Sequence, residues 1–370
     1  MRTFTAILLT LSLTPPPAMT AATRAAITQE PPPIRVEAAG KFLLDSGALE
    51  AHELSGLTWG GPSSEGDGLE TFYAVSDTRP AVFRLNVRLD ERTGAVKEAR
   101  VVERIELDHG ADCEDIVWDN RDGTLWIADE TGPTIRQFQL VEGSPSRRGK
   151  MVRELEIPPI FRTRRPNLGF EALAWDPDSR NFWTANEEAL PADGEPSMVD
   201  SGSLVRLLQF GPDLQPAAQY AYPTEPVGAR PPKGHSRERS GLVALACLPA
   251  GRLLALERAL DVQRLLIADV PVFTSRLFLL DLKEASDVSE MTDGLKGRAF
   301  TAVRKTLLWQ KRFGLEAPNN FEGMALGPRL ADGSWSLVLI SDDEKGMLEQ
   351  SLLALRIYVE REPPAEELKK

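Results

Sequence analysis

The sequence predicts an all-β fold, a five-bladed β-propeller with six blades as the alternative, and three observations predict it. A short motif recurs five times, an apolar run follows each copy at hairpin distance, and two further strand-like segments complete most repeats. Repetition on this scale is how ring and solenoid architectures show themselves in sequence. No segment carries sustained helical periodicity, which sets aside a parallel α/β fold.

The motif reads Glu53-Leu-Ser-Gly-Leu-Thr-Trp59, Asp112-Cys-Glu-Asp-Ile-Val-Trp118 and Gly169-Phe-Glu-Ala-Leu-Ala-Trp175. It returns as Glu238-Arg-Ser-Gly-Leu-Val-Ala244 and Asn320-Phe-Glu-Gly-Met-Ala-Leu326. Aligned on the third position, the copies sit at Ser55, Glu114, Glu171, Ser240 and Glu322, spaced 59, 57, 69 and 82 residues apart. The runs that follow are Phe72 to Asp77, Leu125 to Glu130, Phe182 to Glu187, Leu253 to Arg258 and Leu337 to Asp342. Turn signals such as Asp119-Asn-Arg-Asp-Gly123 and Asp176-Pro-Asp-Ser179 separate motif from run, so each pair reads as a hairpin.

Further strands are expected at Thr134 to Leu140 and Val152 to Ile157, at Ser203 to Phe210 and Ala217 to Tyr222, and at Arg276 to Leu282 and Lys305 to Gln310. Four short strands per repeat make a propeller blade. The last repeat supplies three, ending with Leu352 to Val359, and Val36 to Leu44 is the missing fourth. Pairing the chain ends would close the ring and remove two exposed sheet edges. The 82-residue interval has room for a sixth blade but holds only four good strands, its surplus lying in polar loops such as Lys283 to Gly297.

In antiparallel pairing, the start of one strand and the end of the next lie at the same end of the sheet. Side chains alternate along a strand, so Ser55, Glu114, Glu171, Ser240 and Glu322 are expected to face a central channel. Three glutamates brought together need a counter-charge to stay ionised. Ca2+ supplies it with a flexible shell of about six to eight oxygens, whereas Mg2+ demands tighter geometry. The competing reading treats these as turn and strand-start residues. It accounts for the aspartates that end the runs but poorly for glutamate, which strands disfavour.

The runs Gly169 to Asp176, Asn320 to Leu326 and Ile340-Ser-Asp-Asp-Glu344 resemble the phytase-like family of exported bacterial propellers, described as having esterase-like or phytase-like activity. The resemblance covers roughly Phe42 to Tyr358 and implies a hydrolase. The order Ser, Glu, Glu, Ser, Glu around the ring is also similar to the calcium-activated nucleotidases of the apyrase family. Those are five-bladed propellers with one axial Ca2+. That similarity implies Ser55, Glu114, Glu171, Ser240 and Glu322 as calcium ligands. Separately, Asp77, Asp129, Glu130, Glu187, Asp342 and Asp343 near the same face could bind further divalent ions with substrate or activate water. The rest of the apyrase sequence is not evident here.

The same end of the propeller gathers the candidate catalytic groups Asp129, Glu130, Glu187 and His109. It also gathers the candidate substrate-binding residues Arg79, Arg162, Arg165, Arg239 and Arg258. Arginine pairs phosphate in a bidentate fork, which suits a small anionic, phosphorylated substrate. His52, His109 and His235 all fall shortly before a motif copy, where each could shuttle protons. Any one of these taken alone reads as a solvated loop residue; their joint location at one end of the propeller is the stronger signal. The nucleophile elbow, the phosphate-binding loop and the dinucleotide glycine fingerprint are absent, so a serine-hydrolase route has no support.

Composition narrows the partners. Of 370 residues, 42% are apolar and 26% charged, with a formal net charge of −12. Nucleic acids and anionic membranes need a basic footprint that this chain lacks. Arg2, the apolar run Phe4 to Leu13 and the small residues Ala18 to Ala22 form a secretory signal pattern over residues 1–22. An uncleaved anchor is the alternative, but Pro15, Pro16 and Pro17 close the apolar run. No later stretch approaches the ~18 apolar residues of a membrane helix. A periplasmic or secreted single domain over 35–360 is expected, with a flexible tail at 361–370. Cys113 and Cys247 occupy different registers of the repeat, favouring two buried thiols over one bridge. Three functions compete: metal-assisted phosphoester hydrolysis, a non-catalytic calcium-pinned binding propeller, and a metal-dependent lactonase or ester hydrolase.

Overall fold

The computed structural model describes residues 34–45, 47–144, 146–228, 239–265, 268–314 and 317–359. The expected signal segment, the C-terminal tail and His235 lie outside the described residues. Residues Pro31–Lys370 fall in one compact unit. The first strand excepted, every strand pairs antiparallel with a sequence neighbour within its group, and no α-helix occurs among the described residues.

The order begins with β1 (Ile34–Leu43). A first group follows: β2 (Leu54–Pro62), β3 (Glu70–Ser76), β4 (Ala81–Leu89) and β5 (Val96–Leu107). The second is β6 (Cys113–Asp119), β7 (Thr124–Asp129), β8 (Thr134–Val141) and β9 (Arg148–Glu154). The third is β10 (Phe170–Asp176), β11 (Asn181–Asn186), β12 (Leu204–Phe210) and β13 (Pro216–Pro223). The fourth is β14 (Arg239–Leu248), β15 (Arg252–Leu265), β16 (Ala268–Asp281) and β17 (Arg304–Phe313). The last, β18 (Asn320–Arg329), β19 (Trp335–Asp342) and β20 (Ser351–Val359), is completed by β1, which runs antiparallel along β20 from Ile34↔Val359 to Leu43↔Ser351. A short parallel contact, Glu106↔Arg148 and Leu107↔Gly149, joins the first and second groups into one eight-stranded sheet.

The apolar core lies between groups, not within them. Val75 and Ile105 of the first group pack on Ile116 and Phe138 of the second. Trp126 and Ile135 of the second meet Phe170 and Phe210 of the third. Val205 and Leu207 of the third meet Leu245 and Ala255 of the fourth, and Leu254 and Leu277 of the fourth meet Leu339 and Leu355 of the last. The series ends where Val338 and Leu352 of the last group pack on Phe83 and Leu85 of the first. The leading strands follow the same cycle: β2 contacts β6, β6 contacts β10, β10 contacts β14, β14 contacts β18, and β18 contacts β2. A cavity of about 420 Å3 lies among them, lined by Leu57, Ile116, Leu173, Leu245 and Met324, one from each leading strand.

Two expected strands differ from the observed ones. The segment expected at Val152 to Ile157 is instead strand over Arg148–Glu154. Leu155 and Ile157 lie beyond the strand and are buried in the core between the second and third groups, so their apolar character reflects tertiary packing. The β15–β16 hairpin runs longer than its apolar pattern implies, with pairing continuing to Leu265↔Ala268. Polar residues such as Asp261 and Gln263 hid that extension. The two cysteines are buried free thiols in different sheets.

Removing residues 1–45 would strip β1 from β20 and expose a long apolar edge, an invitation to aggregation. The truncated chain is expected to melt lower and to elute as oligomers in size-exclusion chromatography. An unchanged melting temperature in a monomer would show that β1 is dispensable.

Candidate metal centre

The polar third position of the motif owes its direction to an irregularity that simple alternation does not anticipate. The β-ladder slips by one residue between Cys113 and Asp115, between Phe170 and Ala172, and between Phe321 and Gly323. A matching slip falls between Leu54 and Leu57. Glu114, Glu171 and Glu322 are therefore the extra residues of β-bulges, and Ser55 lies within one; such bulges re-aim side chains beside functional sites. Ser240 departs from this pattern: it pairs straight across with Ala259, and the slip comes later, between Leu242 and Ala244.

Three copies carry glycine at the next motif position, because a neighbouring group approaches closely there. A Cβ on Gly56 would stand 2.5 Å from the Asp115 Cα, and one on Gly323 would stand 2.4 Å from the Ser55 carbonyl oxygen. Asp115 occupies that position in the second copy and turns the proximity into a link. Its carboxylate accepts amide N–H groups from Ile116 (2.8 Å) and from Leu173 of the neighbouring group (2.7 Å). Complete burial pushes its carboxyl well above the usual range, against the pull of those amides.

The strand starts gather an acidic cluster. Ser55 Oγ donates to Glu114 Oε2 at 2.8 Å, and Glu130 Oε1 accepts the Gly169 amide at 2.5 Å. Asp112, Glu114 and Glu130 each offer an oxygen within 4.8 Å of the others, so the trio can hold a metal ion. Burial first, then the charges of Glu114, Glu187, Glu130 and Glu322, push Glu171 well above the usual carboxylate range. Burial and neighbouring carboxylates raise Asp77 to about 7 and Asp342 to about 9. Burial raises Glu130 to about 7 in spite of the Gly169 hydrogen bond.

One buried cation answers this charge. Arg258 Nη2 donates to Glu322 Oε1 at 2.5 Å and to Glu187 Oε1 at 3.1 Å, tying the third, fourth and last groups together. Burial disfavours its charge, but Glu322, Glu187, Glu171 and Glu344 outweigh burial and hold the proton more firmly than usual. Arg239 approaches Glu187 at 3.8 Å. The remaining carboxylates outnumber these two arginines. Buried polar atoms without hydrogen-bond partners also collect here: Ser240 Oγ, Glu187 Oε2, Asn320 Oδ1 and Arg258 Nε. Orphaned buried oxygens are rare and ask for an explanation. Surplus carboxylates with unpartnered oxygens are the donor set a hard cation takes.

The other expected site residues lie in different surroundings. Asp129 is occupied by the amides of Ala111 and Thr131 and by Arg136, and so fixes a turn. His109 is half exposed and pairs with the exposed Asp108 at 3.0 Å. Arg79 stands 3.5 Å from Glu50. Arg162 lines a surface recess with Thr134 and Glu154, and Arg165 donates to the carbonyls of Ala189 and Gly194. Arg164 reaches the acidic cluster instead, donating to the Glu130 carbonyl at 2.8 Å. Sequence reasoning missed Asp112, Asp115 and Asn320; Asp112 and Asn320 open their motif copies, which was the available signal. A second trio, Glu53, Asp342 and Asp343, also lies within 4.8 Å. There Asp343 is taken up by His52 and by backbone amides.

An antiparallel, all-β frame that brings buried carboxylates from successive repeats to one end of its leading strands defines the class: a β protein with a metal-competent acidic centre. The chain belongs to the Phytase-like family, described as "Esterase-like activity of phytase", which matches residues 50–345. The likeness to apyrases rests on motif order alone. No curated protein matches the sequence significantly. Among solved structures, the chain is similar to a luciferin-regenerating enzyme (11% identity, TM-score 0.38, covering 85% of this chain and 95% of that one). It is also similar to the periplasmic gluconolactonase of Pseudomonas aeruginosa (12%, 0.32, 83% and 99%). A member of the duf4221 family from Bacteroides vulgatus matches at 9% identity and TM-score 0.38, over 88% and 99% of the two chains.

The raised carboxyls set a pH dependence. A group whose folded pKa lies above its unfolded value stabilises the fold below the unfolded value and loses that contribution as pH rises through the folded one. Glu130 and Asp77 near 7 and Asp342 near 9 put the loss between neutral and mildly alkaline pH. Chelator-treated protein is expected to melt progressively lower from about pH 5 to about pH 9, and added Ca2+ to flatten that slope. A chelated protein equally stable across the range would contradict the buried charge surplus.

Proposed function

We propose that the chain is an exported, calcium-dependent phosphoester hydrolase built on a five-bladed β-propeller. The five four-stranded groups are its blades, β1 closes the ring, and the domain spans 35–360 between a signal peptide at 1–22 and a tail at 361–370. The observation that carries the reading is the convergence of bulged, buried carboxylates and unpartnered oxygens at one end of the leading strands. The cyclic order of core packing supports the ring. The family's description supports phosphoester chemistry. The N-terminal signal pattern supports a periplasmic or secreted location. No helix among the described residues is long and apolar enough to cross a membrane.

Ser55, Glu114, Glu171, Ser240 and Glu322 would hold one axial Ca2+, and Asp112 and Glu130 a further divalent ion arriving with substrate. A bound cation there supplies charge to polarise a phosphoryl oxygen. The protein's own residues do the rest. Arg258 keeps Glu187 and Glu322 in place, and the more exposed Arg239 binds the anionic substrate.

Two measurements test this. In a phosphate-release panel run beside lactone and carboxylic-ester substrates, turnover of phosphoesters that disappears with chelator is expected. Activity confined to lactones or esters would move the assignment to that chemistry, and silence throughout would leave a calcium-stabilised binding protein. In thermal melts, a ligand at about 100 times its Kd stabilises the native state by about 2.7 kcal/mol. Glu171→Gln should lose most of that calcium response, while the same change at the exposed Glu156 should keep it. A full response in Glu171→Gln would exclude it as a ligand.

A further inference from the structure

We propose that His52, oriented by Asp343, is the proton-transfer group of the acidic face, acting on the water that attacks the phosphoester. The proposal rests on the hydrolase reading above and adds a residue to it. His52 Nδ1 lies 2.6 Å from Asp343 Oδ2. The Asp343 side chain is 4% exposed, and its other oxygen accepts the amides of Glu53 (3.2 Å) and Gly346 (3.3 Å). The imidazole itself is 45% exposed. A buried, anchored carboxylate thus fixes one ring nitrogen and leaves Nε2 as the nitrogen that exchanges protons. His109 has no such support, since its partner Asp108 is 44% exposed.

The backbone around the pair points the same way. Eight non-glycine residues have left-handed φ among the described residues, and four of them flank this pair. Glu50 and Glu53 (both φ 53°) bracket His52, and Glu344 (φ 49°) and Lys345 (φ 60°) follow Asp343. Left-handed backbone is strained for a residue with a Cβ, persists only where its surroundings enforce it, and clusters at functional sites. The pair also borders the acidic cluster. The Asp77 amide donates to the Glu53 carbonyl at 3.1 Å, and Asp77 and Asp342 both feel the charge of Glu322. Glu53, Asp342, Asp77, Lys345 and the Glu50–Arg79 pair are the charged groups around the dyad.

The step balances within the proposed reaction. Water gives a proton to Nε2 while its oxygen bonds to phosphorus. The bond from phosphorus to the leaving oxygen breaks with its electron pair, and that oxygen takes the proton from the imidazolium.

The test uses the full chain with Ca2+ and p-nitrophenyl phosphate. His52→Gln is expected to lower kcat by about 100-fold or more with little change in KM, and to keep the wild-type melting temperature. Asp343→Asn should lower kcat by a smaller factor at unchanged KM. A second measurement does not need turnover: diethyl pyrocarbonate labelling mapped by mass spectrometry, with His109 as the internal reference. Ca2+ plus inorganic phosphate should protect His52 and leave His109 reactive. An active wild type with an equally active His52→Gln variant overturns the dyad alone, as does equal protection of the two histidines. A wild type that releases no p-nitrophenol overturns the phosphoester reading, and the catalytic role of His52 with it.

Discussion

Arg258 sits in a place where an arginine is costly. It is 2% exposed, and its guanidinium meets carboxylates from two other sheets. Burying one ion pair seldom stabilises a protein, because desolvation offsets the attraction, but removing one partner leaves a charge stranded. Here the arrangement answers a different need. Glu187 and Glu322 come from separate repeats, and without a cation between them the ends of the leading strands would repel. Arg258 therefore acts as a fixed internal counter-ion that lets the acidic cluster exist.

The scaffold makes that arrangement possible by being rigid elsewhere. Each apolar cluster spans two neighbouring groups of strands, so no group can shift without opening two interfaces. Asp115 adds a polar stitch between leading strands, and the glycines at the same motif position let those strands approach within contact of a neighbouring backbone. Carboxylates held on such strands cannot swing apart to relieve their repulsion. Their relief has to come from protons, from Arg258, or from a bound cation. Burial strengthens all three, because it removes the water that would otherwise screen the charges.

Much of this was legible in the sequence, for an identifiable reason. Strand order and the repeat follow from apolar runs, and those are written locally: Phe72 to Ser76 and Leu337 to Ser341 are buried almost throughout. The pairing of β1 with β20 followed from a missing fourth strand. The bulges were not legible, since a bulge is a relation between two strands and the sequence lists only one. The same holds for Arg258, which reads as a substrate-facing arginine until its neighbours from other sheets are in place. Asp115 was hidden because it stands where the other copies carry glycine or alanine. The β15–β16 extension escaped for the opposite reason to β9: its polar residues mask a real strand, whereas Leu155 and Ile157 imitate one.

The departures from symmetry at the third position have a physical logic. Five carboxylates at equivalent positions would satisfy the repeat but concentrate more charge than one buried arginine could neutralise. At about 4 Å and an effective dielectric near 20, each like-charge pair costs about 4 kcal/mol. Serine replaces glutamate at two of the five places. Ser55 donates to Glu114, which lowers the carboxylate's repulsion while leaving its second oxygen for a ligand. Ser240 stands in the one group whose second strand contributes Arg258, so the repeat that adds the cation is also a repeat that omits the acid. The symmetric frame supplies position, and its two broken places set the net charge. Arg258 meets Glu187 and Glu322 directly, so the carboxylates left to protons or to another counter-charge are Glu114 and Glu171 of the second and third repeats.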